Sequence, residues 1–178
     1  TIVLRGSRVI DFIFEKGLIY DGSGNEPYVA DVAILGNKIE HIGQLDDAEC
    51  TQRINIEGLA IAPGFIDLHT HSDFTLVANT KAESQVHQGV TTEVVGQCGH
   101  SCAPVCHPSE IAKVALGYIP GCEGAGWESF GEYLDHLDQY DLGVNVAAFV
   151  GHGAIHRMVM GDELRLPEPE EVDQMARL

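Results

Sequence analysis

Residues 61–71 read IAPGFIDLHTH, and three of them carry side chains able to do chemistry: Asp67, His69 and His71. They stand at alternate positions after an apolar run. In a β-strand every second side chain leaves the same face, so a strand here aims a carboxylate and two imidazoles one way. Pro63-Gly64 punctuates the start of the run and Ser72-Asp73 closes it with loop or helix-cap chemistry. Neutral imidazole nitrogens are common metal ligands. Taken alone, HxH is read equally well as two polar residues on a half-exposed strand.

Two other residues fall at corresponding places further on. GVTTEVVGQCG (89–99) is a β-branched run that ends in Cys98, and VNVAAFVGHG (144–153) is an apolar run that ends in His152. A thiolate beside a metal binds zinc well, whereas a buried cysteine with no metal acts as a small hydrophobe. His152 is a candidate for lining the site, with a rim histidine that has its own hydrogen bonds as the alternative. Two rival clusters are weaker. Cys98, Cys102 and Cys106 with His100 and His107 lack the short spacing of a zinc knuckle and do not match an iron–sulfur run. His152 and His156 have the spacing of a HExxH zinc helix, but Gly153 replaces the glutamate and GHG reads as loop.

The elements that must position these residues follow two patterns. Residues 8–61 hold short β-prone runs broken by turns, with Gly36-Asn37 as a hairpin signal, and predict a small antiparallel β-unit. GSGN at 22–25 lacks a third glycine and is followed by Pro27, so it reads as a turn rather than a phosphate loop. From residue 62 strands alternate with helical segments. These are NTKAESQVHQG, SEIAKVALGYI with Ser109 as a plausible N-cap, a helix from Trp127 with Phe130, Leu134 and Leu137 on one face, and a last helix opening at Pro167. Three strands joined by such crossovers predict a parallel sheet, and function collects at the carboxyl ends of parallel strands. His69, His71, Cys98 and His152 all fall at that rim. This shared location raises the metal reading above what HxH alone supports.

Composition bounds the alternatives. The 178 residues fit one domain, 44% of them are hydrophobic, and ten basic against 27 acidic residues give a net charge of −17. That charge argues against nucleic acid and anionic membrane surfaces as partners. No run approaches the roughly 18 apolar residues of a transmembrane helix, and no clear signal peptide opens the sequence. Five cysteines, four of them between residues 98 and 122, suit free thiols or a metal ligand in a reducing, cytoplasmic setting.

APGFIDLHTHSD, GVTTEVVGQCGHSCAPV and NVAAFVGHGAIHRMVMG together resemble the N-acyl-D-amino-acid deacylases of the metal-dependent amidohydrolase superfamily. The resemblance runs from about Asp11 to Leu178. It implies a (β/α)8 TIM-type barrel, of which residues 62–178 would be the first βα units. Residues 1–61 would form part of a small β-domain built from both chain ends. It implies Zn2+ bound by His69, His71 and Cys98, a small N-acyl amino acid as substrate, and hydrolysis to a carboxylate and a free D-amino acid. The family's later histidine ligands and its general-base aspartate match nothing up to Leu178. The expectation is therefore an incomplete enzyme whose carboxylate clamp also lies outside these residues. Three positions depart from the family pattern. Gln97 stands where asparagine is usual, Glu93 where the residue is often apolar, and His156-Arg157 where arginine often follows the GHG turn. Two other readings remain. A cyclic-amide hydrolase of the dihydroorotase or hydantoinase kind is disfavoured by Cys98, because those sites commonly use a carboxylated lysine. The other is a non-catalytic metal-binding protein of the same fold.

Overall fold

A computed structural model describes residues 9–105 and 126–178. The helix expected over SEIAKVALGYI, with Ser109, Cys106, His107 and Cys122, lies outside the described residues. The chain divides into two compact units, residues 1–63 and 64–178.

The first unit is a five-stranded sheet. Its strands are β1 (Ile10–Ile19), β2 (Tyr28–Leu35), β3 (Lys38–Gly43), β4 (Cys50–Asn55) and β5 (Ala60–Ile61). β1–β2 and β2–β3 pair antiparallel, and the Gly36-Asn37 turn closes the second hairpin. The sheet is nevertheless mixed, which corrects the expected antiparallel β-domain: β4 and β5 both run parallel to β1. Parallel pairing needs a crossover, and residues 44–49 provide it. Leu45 is buried with Ile10, Ile13 and Ala33. Asp31 accepts from the Leu45 N–H at 3.0 Å, and Arg53 donates to the carbonyls of Leu45 (2.8 Å) and Ala48 (2.5 Å). Arg53 also pairs with Glu15 at 2.6 Å.

The second unit is built on a parallel sheet in the order β6 (Phe65–Asp67), β7 (Val90–Val95), β8 (Asn145–Ala148). In register, Asp67 lies opposite Glu93 and Glu93 opposite Val146. Among the described residues its helices are α1 (Glu83–Val86), α2 (Phe130–Leu137), α3 (His152–Met160) and α4 (Pro169–Met175), with a 3-10 turn at Ser72–Phe74. Several expectations change here. NTKAESQVHQG gives only four helical residues. α2 begins at Phe130 rather than Trp127, because Ser129 and Glu132 form a reciprocal capping box. Its deepest residue is Tyr133, which packs with Trp127, Leu76, Leu137 and Cys102 in the core of this unit. Burial of side chains of that size is worth about 1.5–3 kcal/mol each. The apolar run of β8 is not uniformly buried, since Asn145 and Ala147 are exposed. Among the described residues no helix is long and apolar enough to cross a membrane.

Candidate metal centre

His69 and His71 do not lie on a strand. β6 ends at Asp67, where the Asp67 carboxylate turns back to accept the His69 N–H at 3.0 Å. The chain then bends, and the Thr70 N–H donates to Val94 O at 3.3 Å. The two histidines are therefore presented by a loop fastened to β7, not by strand alternation. The same holds for Cys98. β7 stops at Val95, Gly96 takes φ +78°, and Cys98 itself takes φ +55°. For a residue with a Cβ that conformation costs on the order of 1–2 kcal/mol, so the surroundings must hold it. A Cβ at Gly96 would sit 1.8 Å from Phe149 O, which explains the glycine at this strand end. Gln97 donates to Leu68 O at 2.9 Å and fastens the cysteine loop to the histidine loop.

The result is one cluster. The ligand atoms of His69, His71 and Cys98 all lie within 4.8 Å of one another, and all three residues are exposed. His69 Nε2 and Cys98 Sγ are 2.9 Å apart. Two imidazole nitrogens and a sulfur are the donor set of a borderline-soft cation such as zinc. A separation of about twice a metal–ligand distance lets one ion reach all three. His152 does not join the cluster. It opens α3 instead of lying in a loop, and its ring is 6.4 Å from that of His156, one turn on. Its helix is nevertheless pinned to the cysteine loop. Gly153 N–H donates to Gly99 O at 2.8 Å, and Gly151 N–H to Ser101 Oγ at 2.9 Å. Cβ atoms at 151 and 153 would lie 2.6 and 2.7 Å from Gly99 backbone atoms, so the glycines of GHG serve a close backbone approach.

Three residues near the cluster take places that the sequence reading did not assign them. The His100 ring is 6.3 Å from that of His71; the pattern of a cysteine closing a strand, followed by GH, was the available signal. Asp73 reads as a cap but is 1% exposed. Burial pushes its carboxyl up to about 6, opposed chiefly by the Cys102 N–H it accepts at 3.1 Å. Glu93 is 0% exposed on the helix-facing side of β7, as its position in the strand predicts, and it accepts the hydroxyl of Ser72. Cys102 is a free thiol outside any helix or strand but buried in the core, and burial drives its pKa well above that of an ordinary thiol.

The chain belongs to the amidohydrolase family, whose pattern matches residues 52–178. It is 38% identical to the D-aminoacylase of Alcaligenes xylosoxydans xylosoxydans over 97% of its own length and 35% of that protein. It is 35% identical to the N-acyl-D-glutamate deacylase of the same organism over 95% of the chain and 34% of that protein. Its structure superposes on a D-aminoacylase crystal structure with a TM-score of 0.82 at 33% identity, over 95% of this chain and 35% of the other. The N-acyl-D-glutamate deacylase of Bordetella bronchiseptica, solved with zinc and a phosphonate mimic of the tetrahedral intermediate, matches at TM-score 0.82 and 32% identity. That match covers 96% of this chain and 35% of the other. The chain thus spans about a third of the length of these relatives.

Proposed function

We propose that this chain is part of a zinc-dependent deacylase that hydrolyses N-acyl-D-amino acids to a carboxylate and a free D-amino acid. The observation that carries the reading is the meeting of His69, His71 and Cys98 ligand atoms within 4.8 Å, in a chain that resembles deacylases along nearly its whole length. In this reading His69, His71 and Cys98 bind zinc. When bound, zinc supplies Lewis acidity and makes water a competent nucleophile at neutral pH.

The chain's own residues do the rest of the positioning. The Asp67 carboxylate fixes the His69 peptide, Gln97 ties the two ligand loops together, and Gly96 lets the cysteine turn sit against Phe149. His152, held at the start of α3 beside the Gly99 turn, contacts the substrate. In this reading the carboxylate that moves the proton to the leaving amine, and the cation that clamps the substrate carboxylate, correspond to parts of the relatives that this chain does not span. We also propose that β6–β7–β8 form the first strands of a (β/α)8 barrel, with residues 1–61 belonging to a separate small β-domain. The described cysteines, Cys50, Cys98 and Cys102, are free thiols, which suits a cytoplasmic protein.

The test is turnover by the full-length protein of N-acetyl-D-amino acids, N-acetyl-L-amino acids and a hydantoin, with zinc and after chelation. Zinc-dependent release of D-amino acids supports the reading. Ring opening without deacylation places the enzyme among the cyclic amidohydrolases, and no turnover of any substrate leaves a metal-binding protein.

A further inference from the structure

Glu93 poses a physical problem. Its side chain is fully buried on β7, two residues from the buried Val95 and against the buried Ser72. An apolar side chain would fill such a place without the desolvation that a carboxyl suffers. One of its oxygens, Oε1, has no hydrogen-bond partner among the described residues. The other, Oε2, accepts the Ser72 hydroxyl in a hydrogen bond between two buried residues.

What that bond connects is specific. Ser72 directly follows His71 and opens the 3-10 turn, whose first carbonyl accepts from the N–H groups of Thr75 and Leu76, each at 2.8 Å. Glu93 lies on β7, the strand that delivers Cys98 five residues later. On the other side of His71, the Thr70 N–H donates to Val94 O on the same strand at 3.3 Å. His71 is thus bracketed: the residue before it is tied to Val94 and the residue after it to Glu93. Cys98 follows from the same strand through the Gly96 turn, so both ties set the distance between His71 and the thiol.

We propose that Glu93 is a positioning residue that acts through Ser72 to hold His71 at its place opposite Cys98, and that its buried carboxyl serves the geometry of the metal centre. The inference rests on the reading of His69, His71 and Cys98 as metal ligands. Partners that orient a ligand typically change metal affinity by about 10–100-fold when removed. A bond that merely supports the fold changes stability and affinity together.

The experiment measures Zn2+ affinity by chelator competition, and thermal unfolding of the metal-free form, on the full-length protein. The variants are Glu93→Gln, Glu93→Val, Ser72→Ala and the Ser72→Ala/Glu93→Val double variant. Glu93→Val and Ser72→Ala should each weaken zinc binding about tenfold, and the double variant should be no worse than either, because both remove one bond. Glu93→Gln keeps an acceptor for Ser72 and should stay within about threefold of the parent by that same argument. The metal-free melting temperature of Glu93→Val should not fall, since an apolar side chain fills the site. If Glu93→Val does not fold, Ser72→Ala and Glu93→Gln carry the comparison. Parental affinity in Glu93→Val and Ser72→Ala, or affinity losses that track losses of melting temperature, overturns the proposal. A parent protein that binds no zinc overturns the metal-centre reading instead, and this inference with it.

Discussion

His69 Nε2 and Cys98 Sγ lie 2.9 Å apart across 29 residues of chain, although neither residue sits on a regular strand. The loops that hold them are fastened to each other by the Gln97 side chain on Leu68 O at 2.9 Å. Gln97→Ala removes that tie and leaves both ligands in place. Zinc affinity should then fall by about tenfold, the usual size of an effect one layer out from the metal, with little change in the melting temperature of the metal-free protein. Isothermal titration against a competing chelator measures it, and unchanged affinity would show that the loops hold themselves.

The sequence anticipated that His69, His71 and Cys98 would lie close, but on grounds that only half apply. Strand alternation points His69 and His71 one way and the shared carboxyl rim of parallel strands brings in Cys98, yet β6 stops at Asp67 and β7 at Val95. What brings the residues together is a carboxylate turning back on its own backbone, a glutamine reaching 29 residues away, and positive φ at Gly96 and Cys98. None of these has a periodic signature. The parallel order of β6, β7 and β8 was legible, because β-prone runs separated by helical segments leave few other topologies. The parallel β4 was not, since it depends on the buried Leu45 and on Arg53 gathering crossover carbonyls. GHG read as loop because glycine disfavours helix. In the structure those glycines start a helix pressed against the Gly99 backbone.

Glycine substitutions separate close approach from conformational freedom. Gly22 has φ +78° with open space around it, so Gly22→Ala should cost only about 1 kcal/mol. Gly151 needs no positive φ, yet an added Cβ would meet Gly99 backbone at 2.6 Å. Gly151→Ala should cost about 1–3 kcal/mol through overpacking. Gly96→Ala combines both penalties and should be the worst of the three. Urea unfolding of the three variants gives the order directly, and Gly22→Ala as the most damaging would contradict it.

Asp73 makes a pH prediction for the metal-free protein. Its carboxyl is raised to about 6 from an ordinary 3.8 by burial. Between those values the folded state holds the proton more tightly than the unfolded state does. The group's contribution to stability therefore falls as pH rises from about 4 to about 6 and stays unfavourable above that. Asp73→Asn, which keeps an acceptor for the Cys102 N–H, should stabilise the metal-free form at pH 7 by on the order of 2 kcal/mol. The gain should vanish near pH 4. A gain that does not change with pH would assign the effect to packing rather than charge.

Arg157 stands on α3 and pairs with Asp162 at 3.4 Å. If the substrate carboxylate is clamped by chain beyond residue 178, Arg157→Ala in the full-length enzyme should change KM by less than about threefold, the range of an exposed ion pair. A many-fold rise in KM with kcat unchanged would place the clamp on Arg157 instead.

Two histidines and one cysteine of this chain are the proposed ligands of the metal. X-ray absorption at the zinc edge of the loaded full-length protein tests that assignment most directly. A centre of His69, His71 and Cys98 gives one sulfur at about 2.3 Å beside nitrogen or oxygen ligands at about 2.0–2.1 Å, with the sulfur shell lost in Cys98→Ala. A wild-type spectrum fitted by nitrogen and oxygen alone would contradict it.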